Sequence, residues 1–132
     1  MNNGTAIAHY QRKLEHELDS ADLFALLEAG ERIVVVDART REAYDAEHIP
    51  VAINFPHREM HEGAVDRLDR EVLHVTYCDR VGSNAATKGA LKLASQGFRV
   101  KELIGGLDWW KRDGYATSGN QAREGRQFQC AC

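Results

Sequence analysis

The sequence predicts a single α/β domain: a central, mostly parallel sheet of four to five strands with helices on both faces. Three observations predict it. Ile33-Val34-Val35-Val36 is an unbroken β-branched run, the pattern of a strand covered on both sides. Such runs recur along the chain and alternate with segments of helical spacing, as in a parallel sheet whose crossovers are helices. The length, 132 residues, suits one core and no second domain.

In order along the chain, residues 6–13 read as a helix with Ile7 and Tyr10 on one side. Residues 14–18 fit either its continuation or an edge strand, because Leu14, His16 and Leu18 alternate with Glu15 and Glu17. Ser20 is placed to N-cap a helix carrying Leu23, Phe24, Leu26 and Leu27, and Gly30 to follow it as a left-handed stop. Thr40 caps a short helix through Tyr44. Ala52–Phe55 reads as a second strand, residues 63–69 as a short helix and Val72–Tyr77 as a third strand. Asn84–Gln96 is a helix closed by Gly97, and Arg99–Leu103 a fourth strand. Gly105-Gly106 turns the chain into a last helix, Leu107–Arg112, whose Trp109 and Trp110 serve packing. Residues 1–13 are thus a helical extension, 14–116 the domain, and 117–132 a polar, aperiodic, flexible tail.

Composition narrows the function. Hydrophobic residues are 43% and charged residues 28%, an ordinary globular balance. The formal net charge of −3 offers no basic footprint for nucleic acid and no polybasic membrane patch. The longest apolar run, Ile33–Val36, is far short of a bilayer span. Three cysteines give no disulfide framework, and the N-terminus lacks the features of a signal peptide. The expected setting is reducing and cytoplasmic.

Open parallel sheets place their sites beyond the carboxyl ends of strands. After the strand ending at Tyr77 comes Cys78-Asp79-Arg80-Val81-Gly82-Ser83, running into the helix that begins near Asn84. The loop's N–H groups can turn inward around the sulfur, and the helix dipole adds partial positive charge. Both favour a thiolate. Arg80 adds a full charge, Asp79 opposes it, and Ser83 offers a hydroxyl or a helix cap. The plainer alternative makes Cys78 a small core residue. No His/Cys grouping has zinc-ligand spacing, so no metal is expected.

These residues carry a family resemblance. Residues 14–113 resemble a single rhodanese (sulfurtransferase) domain. Val35-Val36-Asp37-Ala38-Arg39 is similar to that family's strand ending in Asp-x-Arg. Tyr44–Asn54 is similar to its Tyr-x-x-Gly-His-Ile-Pro-Gly-Ala-x-Asn segment. Tyr77-Cys78 with the loop resembles the active-site loop, while Gly97–Val100 and Gly105–Trp110 resemble the closing segments. The resemblance implies the three-layer rhodanese-like fold and transfer of a sulfane sulfur through a persulfide on catalytic Cys78. Asp79, Arg80, Val81, Gly82, Ser83 and Asn84 would form the binding loop. It implies no cofactor, a small sulfur donor such as thiosulfate, and cyanide, a small thiol or a protein thiol as acceptor. Structural roles beside the site fall to Asp37, Arg39 and His48.

The chain departs from the family pattern at defined positions. Glu47 and Val51 replace the glycines flanking His-Ile-Pro, so the turn lacks glycine's freedom at both. Asp79 stands where many members carry Arg, and Ser83 where one subset has a second cysteine. Asn84 occupies the position at which fold-sharing phosphatases need an arginine fork, which argues against phosphoryl chemistry. A non-catalytic or sulfur-relay module is the remaining alternative. Cys130 and Cys132 are read as incidental residues of the tail, the other reading being a mobile arm that visits Cys78.

Overall fold

The structure is a computed structural model that describes residues 3–129. Helix α1 spans Gly4–His16 and strand β1 Glu17–Leu18, followed by α2 (Ser20–Glu28), β2 (Ile33–Asp37), α3 (Arg41–Ala46) and β3 (Ile53–Asn54). A 3-10 turn at His57–Glu59 leads toward β4 (Leu73–Tyr77), α4 (Ala85–Ser95), β5 (Val100–Leu103) and α5 (Gly106–Arg112). The five strands pair in the order β1-β5-β4-β2-β3, and every pairing is parallel.

Alternation along the central strands sorts the core into two layers. Val35, Val75, Tyr77 and Leu103 face α2 and α5, packing with Leu23, Phe24, Leu27, Leu107 and Trp110. Val36 faces the opposite side with Phe55, Met60, Val65, Leu93 and Phe98. This double coverage explains the unbroken apolar run in β2. Thr76 also points to the second layer, where its hydroxyl donates to Ala86 O of α4 at 3.0 Å. That bond fixes the start of α4 against the end of β4, the place where the cysteine loop must fit.

Several local readings are corrected. The ambiguous segment divides: α1 runs on to His16, and only Glu17–Leu18 pair with β5 as an edge strand. The N-cap of α2 is Asp19, in a reciprocal capping box with Asp22. Ser20 is instead the first helical residue, buried, with its hydroxyl bonded to the Asp113 carboxylate. Residues 63–69 form successive turns, not a helix. Their backbone bonds are Asp66 N to Gly63 O and Leu68 N to Val65 O, and Gly63 lies at φ 88°. The segment is shaped by dropping Val65 into the core.

The tail also differs from expectation through residue 128. Thr117 is buried, Ser118 and His48 exchange backbone bonds of 2.9 Å, and Tyr115 bridges Arg126. The Phe128 ring meets the edges of Phe24 and Trp110 at 6.0 and 6.4 Å. One aromatic residue, the Thr117 hydroxyl bonded to Glu47 and a few backbone bonds hold this polar stretch down, and none of them makes a periodic signal. Cys130 and Cys132 lie outside the described residues.

The turn after His-Ile-Pro shows what the two missing glycines mean. Glu47 is extended at φ −162°, so no glycine is needed there. Val51 is the only non-glycine residue with positive φ among the described residues, at 69°, and is 55% exposed. A left-handed β-branched residue stores on the order of 1–3 kcal/mol, of which glycine's extra chain entropy would return part. Val51→Gly is therefore expected to stabilise the protein by about 1 kcal/mol, a rise in Tm of roughly 3–5 °C by calorimetry. A Tm at or below the parent's would contradict the strain.

Candidate active site

The site is built from the end of β4, which lies between β2 and β5 in the sheet. Tyr77 is its last residue and is fully buried. The phenol accepts from Ile49 N at 3.0 Å and donates to Asp37 Oδ2 at 2.8 Å. Burial, reinforced by the Asp37 charge, holds that phenol well above the usual range, so it stays a donor. Asp37, also fully buried, accepts from Arg39 Nε at 3.0 Å and Arg39 Nη2 at 2.7 Å, and from the Arg39 backbone N–H. Arg39 continues outward, with Nη2 donating to Glu47 O at 2.6 Å and Nη1 to Asp79 Oδ1 at 2.8 Å. Burial opposes the guanidinium charge, yet the bonds and charges of Asp37 and the bond to Asp79 outweigh it and raise its pKa. One polar chain thus ties β4, β2, the His-Ile-Pro turn and the cysteine loop together.

Cys78 follows Tyr77 and is 4% exposed. The loop closes back on it, and Sγ donates to Ser83 O at 3.3 Å. The sequence reading expected loop N–H groups on the sulfur. Here a protonated thiol, itself a donor, meets a carbonyl. Ser83 N–H turns to Arg80 O at 3.1 Å, while the N–H groups of Arg80, Val81 and Gly82 bond no acceptor among the described residues. Gly82 sits at φ 100°, which gives the loop its sharp return. Asn84 is the N-cap of α4 without a side-chain bond. Ser83 is not the cap. Asp79 is drawn to Arg39 and so carries a paired charge, and Arg80 is exposed with no ion-pair partner among the described residues.

The sequence reading gave the last helix no part in the site, yet α5 grips it. Leu107 N–H donates to Cys78 O at 2.9 Å and Asp108 N–H to Asp79 O at 2.8 Å. Such close approach requires Gly106, where a Cβ would stand 2.3 Å from Cys78 O and 2.9 Å from the Asp79 carbonyl carbon. The Gly105-Gly106 pair was visible in the sequence as a turn; what it packs against was not.

His48 is brought near the network but not to the sulfur's hydrogen bond. Its Nδ1 lies 2.6 Å from Tyr44 O and its ring stacks on Tyr44 at 3.8 Å. Glu47 accepts from Lys111 Nζ at 3.0 Å and Thr117 Oγ1 at 2.7 Å. Burial opposes its ionisation, but these bonds and the Lys111 charge hold the carboxyl below the usual range. Beside the loop opens a cleft of about 260 Å³, walled by Ala38, Thr40, Pro56, Arg58, Asp79 and Ser83.

A five-stranded parallel sheet whose central strand ends in a looped cysteine, locked by a buried Asp-x-Arg pair, defines a cysteine-centred α/β domain. The family described as rhodanese-like domain matches residues 19–113, and the chain belongs to that family. Its structure is similar to that of the BH2092 protein from Bacillus halodurans, with a TM-score of 0.87 and 41% identity over 98% of this chain and 96% of that one. The Alr3790 protein from Anabaena sp. gives a TM-score of 0.70 at 32% identity, over 77% and 91% of the two chains. Among curated proteins, the chain is 37% identical over 106 residues to the HTH-type transcriptional regulator Rv0324 of Mycobacterium tuberculosis. That match covers 76% of this chain and spans 43% of the regulator's length. It is 34% identical over 80 residues to thiosulfate sulfurtransferase GlpE of Coxiella burnetii, covering 60% of this chain and 72% of that enzyme. No helix among the described residues is long and apolar enough to cross a membrane.

Proposed function

We propose that the protein is a sulfurtransferase that carries a sulfane sulfur on Cys78. The Cys78 thiolate attacks the outer sulfur of a donor such as thiosulfate. The donor's S–S bond breaks, sulfite leaves with the electron pair, and Cys78 becomes a persulfide. A thiophilic acceptor, cyanide or a thiol, then attacks the outer sulfur, and the Cys78 thiolate is restored. No cofactor takes part. The observation that carries this reading is Cys78 at the end of β4 with a loop closed on its sulfur and three loop N–H groups that bond no acceptor among the described residues. Such donors suit the negative terminal sulfur of a persulfide. The similarity to a thiosulfate sulfurtransferase supports the same chemistry.

Intact-mass spectrometry after incubation with thiosulfate tests it. The expected result is a gain of one sulfur, about 32 Da, removed by cyanide or dithiothreitol, as befits a reactive thiolate. A mass that never changes would reject the persulfide. The similarity to a transcriptional regulator favours a second reading, a sulfur-relay or sensing module. Its signature is a persulfide that loads and persists with little turnover to cyanide.

A further inference from the structure

Helix α1 lies ahead of residue 19, where the family match begins, and none of its 13 residues is buried. Its N-cap, Asn3, makes no side-chain bond, and its first turn holds no acidic residue. Helices of about 12–15 residues are marginal alone in water, so α1 needs a surface to rest on. The domain supplies little of one. Strand β1 follows α1 directly, and Lys101 Nζ reaches Leu14 O at 3.5 Å.

The orientation of α1 is the reverse of an ordinary surface helix, whose apolar stripe faces the core. His9, Arg12, Lys13 and His16 line a shallow groove of about 430 Å³ against Leu91 and Ala94 of α4. Ile7, Tyr10 and Leu14 share one helical face, are absent from that lining, and stand 56%, 62% and 77% exposed. The polar side of α1 therefore faces the domain and the apolar side faces out.

We propose that this outer face is covered by the same face of a second copy of the chain, the two helices packed antiparallel about a two-fold axis at Tyr10. The stripe is self-complementary in that arrangement. Tyr10 lies near its middle, so Ile7 of one copy meets Leu14 of the other and the two Tyr10 rings pack at the axis. Charge selects the antiparallel direction. With histidine neutral, the charged residues Arg12, Lys13 and Glu15 all lie in the C-terminal half of α1, and Gly4–Tyr10 holds none. Antiparallel packing lays each charged half on an uncharged one. It also brings Glu15 beside the other copy's α1 N-terminus, where the helix dipole favours a carboxylate. Parallel packing would set each charge against its own duplicate. One face of such a helix, about 20 Å long and about 10 Å wide, falls short of the about 800 Å² per partner of a stable interface. The dimer is accordingly reversible, with a Kd on the order of 10–100 µM.

Sedimentation equilibrium of the full chain tests this. A monomer–dimer equilibrium in that range is expected, and Leu14→Glu should weaken it about tenfold with Tm unchanged, since the side chain it replaces packs on nothing in the core. Leu91→Glu alters a leucine of similar exposure, 67%, on the groove side and should leave the Kd as it was. Glu15→Lys reads the direction: it should weaken the dimer about fivefold, because two cations then face helix N-termini. A cation near the carboxyl end of its own helix is favourable, so fraying of α1 cannot produce that loss. A chain that stays monomeric to about 500 µM, or equal losses from Leu14→Glu and Leu91→Glu, would overturn the interface. An unchanged Kd in Glu15→Lys would overturn the antiparallel packing. A monomer that sediments with phosphatidylglycerol vesicles, and loses that binding in Leu14→Glu, would put a lipid surface on the stripe instead of a second copy.

Discussion

Cys78→Ser is expected to remove sulfur transfer, with thiosulfate-to-cyanide turnover falling at least a thousandfold. Serine keeps the shape, and its hydroxyl can still donate to Ser83 O, so the fold should hold and Tm stay within a few degrees. The oxygen cannot replace the sulfur as nucleophile, because an alcohol at neutral pH is un-ionised and no basic side chain among the described residues is hydrogen-bonded to Cys78 Sγ to activate it. The nearest histidine of the turn, His48, is committed to Tyr44 O at 2.6 Å. Steady-state assay beside thermal melting separates lost chemistry from lost structure. Turnover within tenfold of the parent would show that another residue carries the sulfur.

The largest expected loss of stability is at Asp37. Asp37→Ala removes the shared acceptor of Tyr77 and Arg39 and leaves a guanidinium only 9% exposed with Asp79 as its remaining carboxylate. Breaking a buried ion pair from one side costs about 3–5 kcal/mol, since the surviving charge is left uncompensated. Urea denaturation should show that loss in the midpoint with little change in slope, and Tm should fall by roughly 10–20 °C. Asp37→Asn keeps an acceptor for Tyr77 and should lose less. If Asp37→Ala costs under 1 kcal/mol, the network is not the tie inferred here. Because Arg39 also holds Asp79, the folded fraction of either variant should show a loosened loop, read as faster amide exchange at Asp79 and Arg80.

How much of this was legible beforehand depended on whether a residue's partner lies nearby in the sequence. The run Ile33–Val36 announced a strand buried on both faces because hydrophobic period is a local property, and β2 is that strand. Cys78 was found by position, at the end of such a strand and before a helix. The direction of Asp79 was not, because its partner Arg39 is 40 positions away and the sequence offers no measure of which charge it will meet. Gly106 was readable as a turn, but its need for close approach arises only once α5 is laid against the Cys78 carbonyl. Residues 117–128 failed for a third reason. Their hold on the domain comes from Phe128, Thr117 and backbone bonds such as those of Ser118 to His48 and Asn120 to Asp45, and scattered anchors create no pattern to read.

The ties between early and late segments carry a consequence for synthesis. β1 has β5 as its partner in the sheet, Ser20 and Asp113 bond across 93 positions, and Phe24 awaits Phe128. At a translation rate of about 5–20 residues per second, the residues of α2 exist for several seconds before β5, α5 and Phe128 can complete the layer over them. During that interval Leu23, Phe24 and Leu27 present an apolar face with only part of its layer. The nascent chain is therefore expected to recruit holding chaperones and to acquire protease resistance in one late step after Phe128 has emerged.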